Sequence, residues 1–396
     1  MIHLFLFDVD GVLVDARAYL KALQDTVAHF SRRMGVGDHP PTEEEARAFE
    51  ANGLTSEWDS GPCCVAALLL ERLRREPSLP LPPYWPDALA ILAAHPYPLP
   101  RPDYAALAHR VGERLGVRAG PAQAARAVLW DEVQATPCLE AHRPALAALL
   151  DALLGHTRDF FRAPLTRHFQ HLVLGSRGVA EAYGVVPDFD SPAYLRRYDR
   201  PLLTPATRAQ LCEAVANKKA RLTIYTARPS LPPAEVDGPA PGYSPEAEMA
   251  RALVGLEEWP LIGLGRLRWL ARQTGEEIEQ LIKPSPVQAL AAVGAAWSGR
   301  EAVALEAALA LHRDGELRPP LTDLRPVTIH VFEDTVGGLA AVERGVEELR
   351  AAGVPINWRP YGIAPPNGPK VAPMAAWGVP TYPSVNEAVQ AALRAI

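Results

Sequence analysis

The first fifteen residues constrain the chain most. An apolar run, Ile2-His3-Leu4-Phe5-Leu6-Phe7, stops abruptly at Asp8-Val9-Asp10-Gly11 and resumes as Val12-Leu13-Val14-Asp15. A near-continuous apolar segment of this length predicts a buried parallel strand whose C-terminal end opens onto a site. Asp8 and Asp10 lie two apart, so in extended backbone they face the same way and their charges repel. A cation relieves that repulsion. Gly11 lets the chain turn sharply just beyond them. The competing reading is an acidic turn of the kind that often ends a strand.

Between Asp15 and about Asp199 the pattern is helical. Tyr19, Leu20, Leu23, Val27 and Phe30 recur at three- and four-residue spacing and predict a helix over Ala16 to Met34. Thr42 and Glu45 have the spacing of a capping box for the next helix. Further helical runs cover Val65 to Arg75, Tyr104 to Leu115, Ala122 to Gln134 and Arg143 to Leu154. From Thr204 onward strands alternate with helices. Strands are expected at Arg221 to Tyr225, Pro260 to Leu264, Val327 to Phe332 and Ile356 to Tyr361. Helices are expected at Pro205 to Ala216, Ser244 to Leu253, Gly265 to Ile282, Ser285 to Ala296, Ala302 to His312 and Gly338 to Ala352. Such alternation predicts an α/β fold with a parallel sheet covered on both faces, its ligands at the carboxyl ends of the strands.

Four stretches, in order, resemble the motifs of the haloacid dehalogenase (HAD) superfamily. Phe7-Asp8-Val9-Asp10-Gly11-Val12 is similar to the first and Leu222-Thr223-Ile224-Tyr225-Thr226-Ala227-Arg228 to the second. Leu281-Ile282-Lys283-Pro284-Ser285-Pro286 resembles the third, and Glu333-Asp334-Thr335-Val336-Gly337-Gly338 the fourth, in its E-D-[ST]-x-x-G form. The resemblance implies a Rossmann-like core from residues 1–14 and 200–396, with a large helical cap, residues 15–199, inserted after the first strand. This insertion is much larger than the family's usual small helical cap.

The resemblance also implies a chemistry that suits these residue types. Asp8 is the expected nucleophile, forming an aspartyl-phosphate, and Asp10 the general acid and then base. The second carboxylate favours a phosphate ester over a haloacid, because dehalogenating members lack it. Backbone amides around Gly11 are expected to cradle phosphate oxygens, with the Thr226 hydroxyl, Ala227 and the Lys283 ammonium beside them. Magnesium prefers six oxygens. Because it usually keeps several waters, Asp8, the backbone carbonyl of Asp10 and Asp334, with Glu333 direct or through water, fit that count. Many HAD phosphatases carry a third acid a few residues after the fourth-motif Asp. Here Gly338 stands there, and Glu333 is the expected substitute, as in members that include sugar-phosphate mutases.

Other residues leave two readings open. Thr55, Trp58 and Asp59 sit in a polar stretch similar to a G-x-x-x-x-W-[DE] loop of some capped members, where Trp58 either stacks on substrate or packs between domains. Arg177, in the Gly175-Ser176-Arg177-Gly178 stretch, is available to an anion. Arg228 is either a phosphate contact or a partner in a loop salt bridge. His168 and His171 are three apart on a helical stretch and are read as surface or core residues, not as metal ligands.

A formal charge of −6 argues against a general nucleic-acid binder. The apolar start is too short to span a bilayer, and no basic leader precedes it, so a cytoplasmic protein with no membrane partner is expected. Four cysteines, two of them adjacent at Cys63-Cys64, match neither a disulfide framework nor a zinc pattern. Prolines cluster at Pro77 to Pro86, Pro96 to Pro102, Pro229 to Pro245 and Pro365 to Pro373, which predicts loops or rigid connectors. The leading expectation is a magnesium-dependent phosphatase acting on a small phosphorylated metabolite. A sugar-phosphate mutase, and a binding protein on the same scaffold, remain as alternatives; the oligomeric state stays open.

Overall fold

The structure, a computed structural model, describes residues 2–116, 120–238, 240–366, 368 and 370–396. Its strands are Ile2–Phe7 (β1), Val14–Asp15 (β2), Arg200–Pro201 (β3), Ala220–Tyr225 (β4), Leu261–Ile262 (β5), Val327–Glu333 (β6), Ile356–Ile363 (β7) and Thr381–Tyr382 (β8). Six of them form one parallel sheet in the order β5-β4-β1-β6-β7-β8. β2 and β3 make a separate antiparallel pair, Val14 opposite Pro201 and Asp15 opposite Arg200.

The apolar run of β1 is buried on both faces because side chains alternate along a strand. Leu4 and Leu6 enter one core with Ile329 and Val331, under the helices Leu264–Thr274, Pro286–Ser298, Glu301–Asp314 and Val336–Ala351. Phe5 and Phe7 enter the other with Phe332 and Tyr361, under Pro205–Ala216, Glu246–Leu253 and Val385–Leu393. On that second face Phe7, Phe332 and Tyr361 stack in a row, with centroids 4.4 and 4.9 Å apart. Rings so placed hold β1, β6 and β7 in register through contact as well as through backbone hydrogen bonds.

The chain divides into two compact units. One holds the sheet and comprises Met1–Ala16, Ala182–Gly184 and Asp199–Ile396; the other comprises Arg17–Glu181 and Val185–Tyr198. The second is built of helices. Glu57–Arg75 is its axis, buried along most of its length and packed against Arg17–Arg33, Pro121–Ala135 and Arg143–Leu154. The capping box at Thr42 is present, with Thr42 accepting from the Glu45 N–H and Glu45 accepting from the Thr42 N–H. Cys63 and Cys64 are buried free thiols, whereas Cys138 and Cys212 are exposed ones. Among the described residues no helix is long and apolar enough to cross a membrane.

Several elements differ from expectation. The helix expected over Gly265 to Ile282 ends at Thr274, where Gly275 takes a left-handed φ of 79°; a 3-10 turn at Ile278–Gln280 follows. The strand expected at Pro260 to Leu264 shrinks to two residues. Pro77 to Pro86 is not wholly a connector, since Pro86 lies in the first turn of a helix, Trp85–Ala94, where its missing N–H costs nothing. Pro229 to Pro245 does stay outside helix and strand among its described residues. It is stapled in place by Glu235, which accepts from the N–H groups of Glu301 and Ala302 at the start of Glu301–Asp314.

Leu290 is fully buried and packs against the side-chain-free surface of Gly345 on the neighbouring helix. Leu290→Ala leaves a cavity there, and urea unfolding of the sheet unit should show a loss of about 2–5 kcal/mol.

Candidate active site

β1 lies between β4 and β6, where the order of the sheet reverses. Connections leave such a point in opposite directions and open a crevice beyond the carboxyl ends of the strands. Phe7 is in register with Ile224 on one side and Phe332 on the other, so Asp8, Thr226 and Glu333-Asp334 all leave the sheet at one edge. The Asp8 N–H continues the ladder, donating to the Phe332 carbonyl at 3.0 Å.

Asp8, Glu333 and Asp334 are buried there, and each offers a carboxylate oxygen within 4.8 Å of the others'. Among the described residues this is the one such cluster of three metal-ligating side chains. Lys283 reaches into it. Its Nζ lies 2.8 Å from Glu333 Oε1 and 3.1 Å from Asp8 Oδ1, and it sits 4.6 Å from the centre of the Tyr225 ring. The Tyr225 hydroxyl donates to Glu333 Oε1 at 2.8 Å, and the Thr335 hydroxyl donates to Oε2 at 3.2 Å. Glu333 is therefore held at both oxygens. Lys370 forms an ion pair with Asp334 Oδ2.

Burial pushes the Asp8 carboxyl up to about 7; Glu333 adds to the rise and Lys283 opposes it. Burial likewise raises Asp334 to about 6, against the pull of Lys370. For Lys283 burial works against the charged form, but the carboxylates of Asp8 and Glu333 outweigh it and hold the ammonium above its ordinary value. Lys283 is thus a fixed positive charge, whereas Asp8 is a carboxylate that its surroundings discourage from ionising.

Two glycines make room for this crowding. Gly11 has a φ of 73°, and a Cβ there would collide with the Asp334 carboxylate; a Cβ at Gly338 would run into that of Glu333. The carboxylate of Glu333 therefore fills the space in which a side chain at position 338 would begin. The Gly11 N–H, expected to cradle phosphate, instead donates to the Val14 carbonyl at 2.9 Å.

Asp10 is gripped by Arg228. Nε lies 2.9 and 3.0 Å from its two oxygens, and Nη2 lies 2.6 Å from Oδ1. Nη2 also reaches Asp199 Oδ2 at 3.0 Å, and both Arg228 and Asp199 are buried. Of the two readings of Arg228, the geometry has a salt bridge, with the Asp10 carboxylate as its object. Thr226 is buried and its hydroxyl oxygen accepts from the Arg228 N–H at 3.2 Å, while Ala227 is exposed.

The remaining candidates belong to the helical unit. Thr55 is exposed, but the polar stretch read as a loop ends at Ser56, which caps Glu57–Arg75, so Trp58 and Asp59 are in a helix's first turn. Asp59 is buried and accepts from the Thr157 hydroxyl at 2.8 Å and from Arg158 Nη2 at 2.6 Å. The Arg158 guanidinium also covers the Trp58 ring, 5.2 Å from its centre. Both side chains thus have internal partners. Arg177 is largely exposed on a helical run, paired with Glu181 one turn on; only Gly175, at φ 73°, interrupts that run. His168 stacks on His29 with centroids 4.1 Å apart, and the His171 Nδ1 is 2.8 Å from the Arg167 carbonyl.

Sequence reasoning passed over Lys370, Tyr225 and Asp199. Tyr225 was visible only as the last apolar residue before Thr226. Lys370 lies in the Pro365 to Pro373 cluster, read as a connector, and Asp199 sits at the far end of the inserted segment. Nothing local marks either residue.

No family model and no curated protein matches the sequence. In fold the chain is similar to an X-ray structure solved as Northeast Structural Genomics Consortium target ZR25, with a TM-score of 0.62 at 13% identity, over 98% of this chain and 97% of that one. It also matches phosphatase Tt82 from Thermococcus thioreducens with a TM-score of 0.42 at 16% identity, over 90% of this chain and 91% of that one. The first of these likenesses shows a shared fold.

The raised carboxyls make a prediction about pH. A group that holds its proton in the folded chain up to about pH 7, but releases it near 4 when unfolded, costs stability as pH rises between those values. Buried histidines act the other way, since burial pushes His168 and His330 down to about 3, so the test is a difference. In metal-free buffer, Asp8→Asn should stabilise the protein relative to wild type by an amount that grows from pH 5 to pH 8, read from urea midpoints.

Proposed function

We propose that the chain is a magnesium-dependent phosphatase of the HAD type, hydrolysing a small phosphorylated metabolite through an aspartyl-phosphate on Asp8. The observation that carries this reading is the meeting of Asp8, Glu333 and Asp334 around Lys283 at the carboxyl edge of the sheet. Three buried carboxylates with oxygens this close are mutually repulsive, and two ammoniums, Lys283 between Asp8 and Glu333 and Lys370 on Asp334, leave one negative charge over when all three are ionised. An all-oxygen, carboxylate-rich set suits a hard divalent cation better than zinc or copper, which favour nitrogen and sulfur ligands. Asp8, Asp334 and Glu333, with the backbone carbonyl of Asp10, would hold the ion. When bound, it would neutralise charge on nucleophile and phosphoryl group alike.

In this reading an Asp8 carboxylate oxygen forms a bond to phosphorus while the ester P–O bond breaks. Asp10, turned out of its salt bridge with Arg228 and carrying a proton, gives that proton to the departing alkoxide. A water then attacks the aspartyl-phosphate and passes its proton to the Asp10 carboxylate, inorganic phosphate leaves and Asp8 is restored. Before substrate arrives, Arg228, anchored by Asp199, holds the Asp10 side chain as a carboxylate. Lys283 spends two of its three N–H donors on Glu333 and Asp8, and the third suits a phosphoryl oxygen alongside the Thr226 hydroxyl.

The test is hydrolysis of an aryl phosphate followed by a panel of phosphorylated metabolites. Wild type should turn over with magnesium and stop with chelator. Asp8→Asn should lose on the order of 10⁴-fold or more in kcat with an unchanged circular dichroism spectrum. Undiminished turnover by that variant would remove Asp8 as the nucleophile, and a product carrying relocated phosphate would turn the reading towards a mutase.

A further inference from the structure

The two lysines at the carboxylate cluster are held very differently. Lys283 is nearly buried, with 11% of its side chain exposed, and is shared by two carboxylates. Lys370 has 49% of its side chain exposed and is paired with Asp334 Oδ2, a carboxylate that is itself 8% exposed. It stands between β7 and a six-residue helix, Val371–Ala376. A lysine ammonium is a compact, hydrated charge on a flexible four-carbon stem, and a half-exposed one returns to water readily once another cation takes over its buried carboxylate. A buried carboxylate beside two others has no such freedom.

We propose that Lys370 is a tethered counter-ion that neutralises Asp334 in the metal-free chain and yields that carboxylate to an incoming divalent cation, thereby setting how tightly the cluster holds the ion. This rests on the cation site argued above. The physical basis is competition for charge. A positive group in contact with Asp334 lowers the attraction that the cluster exerts on a second cation, and the stem of Lys370 lets it withdraw to solvent when the ion arrives. Lys283 is unsuited to this part because two carboxylates hold it in place. The site is thus protected from its own repulsion when empty without a rigid charge that would exclude the metal.

The experiment is isothermal titration of magnesium chloride into wild-type protein, Lys370→Gln, Lys370→Arg and Asp334→Asn, with urea unfolding of each in chelator. The expected result is that Lys370→Gln is less stable than wild type without metal but binds magnesium roughly twofold to fivefold more tightly, with Lys370→Arg close to wild type. Equal or weaker magnesium binding by Lys370→Gln, with wild-type binding intact and lost in Asp334→Asn, would overturn the counter-ion role and leave the cation site standing. Absence of magnesium binding in wild type and Lys370→Gln alike would overturn the cation site and the exchange with it.

Discussion

Repulsion among Asp8, Glu333 and Asp334 is the interaction to which the rest of the site answers. The three carboxylates lie buried within reach of one another, and removal from water already disfavours the charged forms of Asp8 and Asp334. Most of the compensation comes from far along the chain. Lys283 lies between Asp8 and Glu333, Tyr225 and Thr335 donate to Glu333, and Lys370 meets Asp334. Burying an uncompensated charge costs several kcal/mol, so these partners are a condition of the fold having a polar end there at all.

The sheet makes the gathering possible. β1 is central, its two faces filled by separate cores, and it has neighbours from both halves of the strand order. Reversal of that order beside β1 clears the ground beyond its end. Glycines then decide what fits. Gly11 clears space for the Asp334 carboxylate, and Gly338 clears it for that of Glu333. Where a longer residue at position 338 would bring in its own side chain, here the carboxylate of residue 333 occupies the place. A second ionic chain, Asp199–Arg228–Asp10, orients the other N-terminal carboxylate from a buried anchor.

Much of this was legible in the residues. The strand that runs into Asp8 and the strand ending in Glu333 each have a local signature, because apolar runs that stop at polar groups mark strand ends, and Lys283 is marked by the Lys-Pro-Ser-Pro stretch it opens. The alternation after Thr204 likewise announced a parallel sheet. Local signals misled where one residue carried two meanings. The stretch before Trp58 was polar enough to read as a loop, yet Ser56 is a helix cap and Asp59 a buried partner of Thr157 and Arg158. Pro86, in a cluster read as a connector, opens a helix.

The sequence by itself determined the α/β class, the buried first strand and the acids that terminate its strands, since periodicity and apolar run length are properties of neighbours along the chain. Only the tertiary structure decided which cations meet which acids. Lys370 meets Asp334 across 36 residues, Lys283 meets Glu333 across 50 and Arg228 meets Asp10 across 218. Such pairings follow from the order of strands in the sheet and from the space two glycines leave open. Coulomb attraction selects partners by distance in space, and no local pattern of residues encodes that distance.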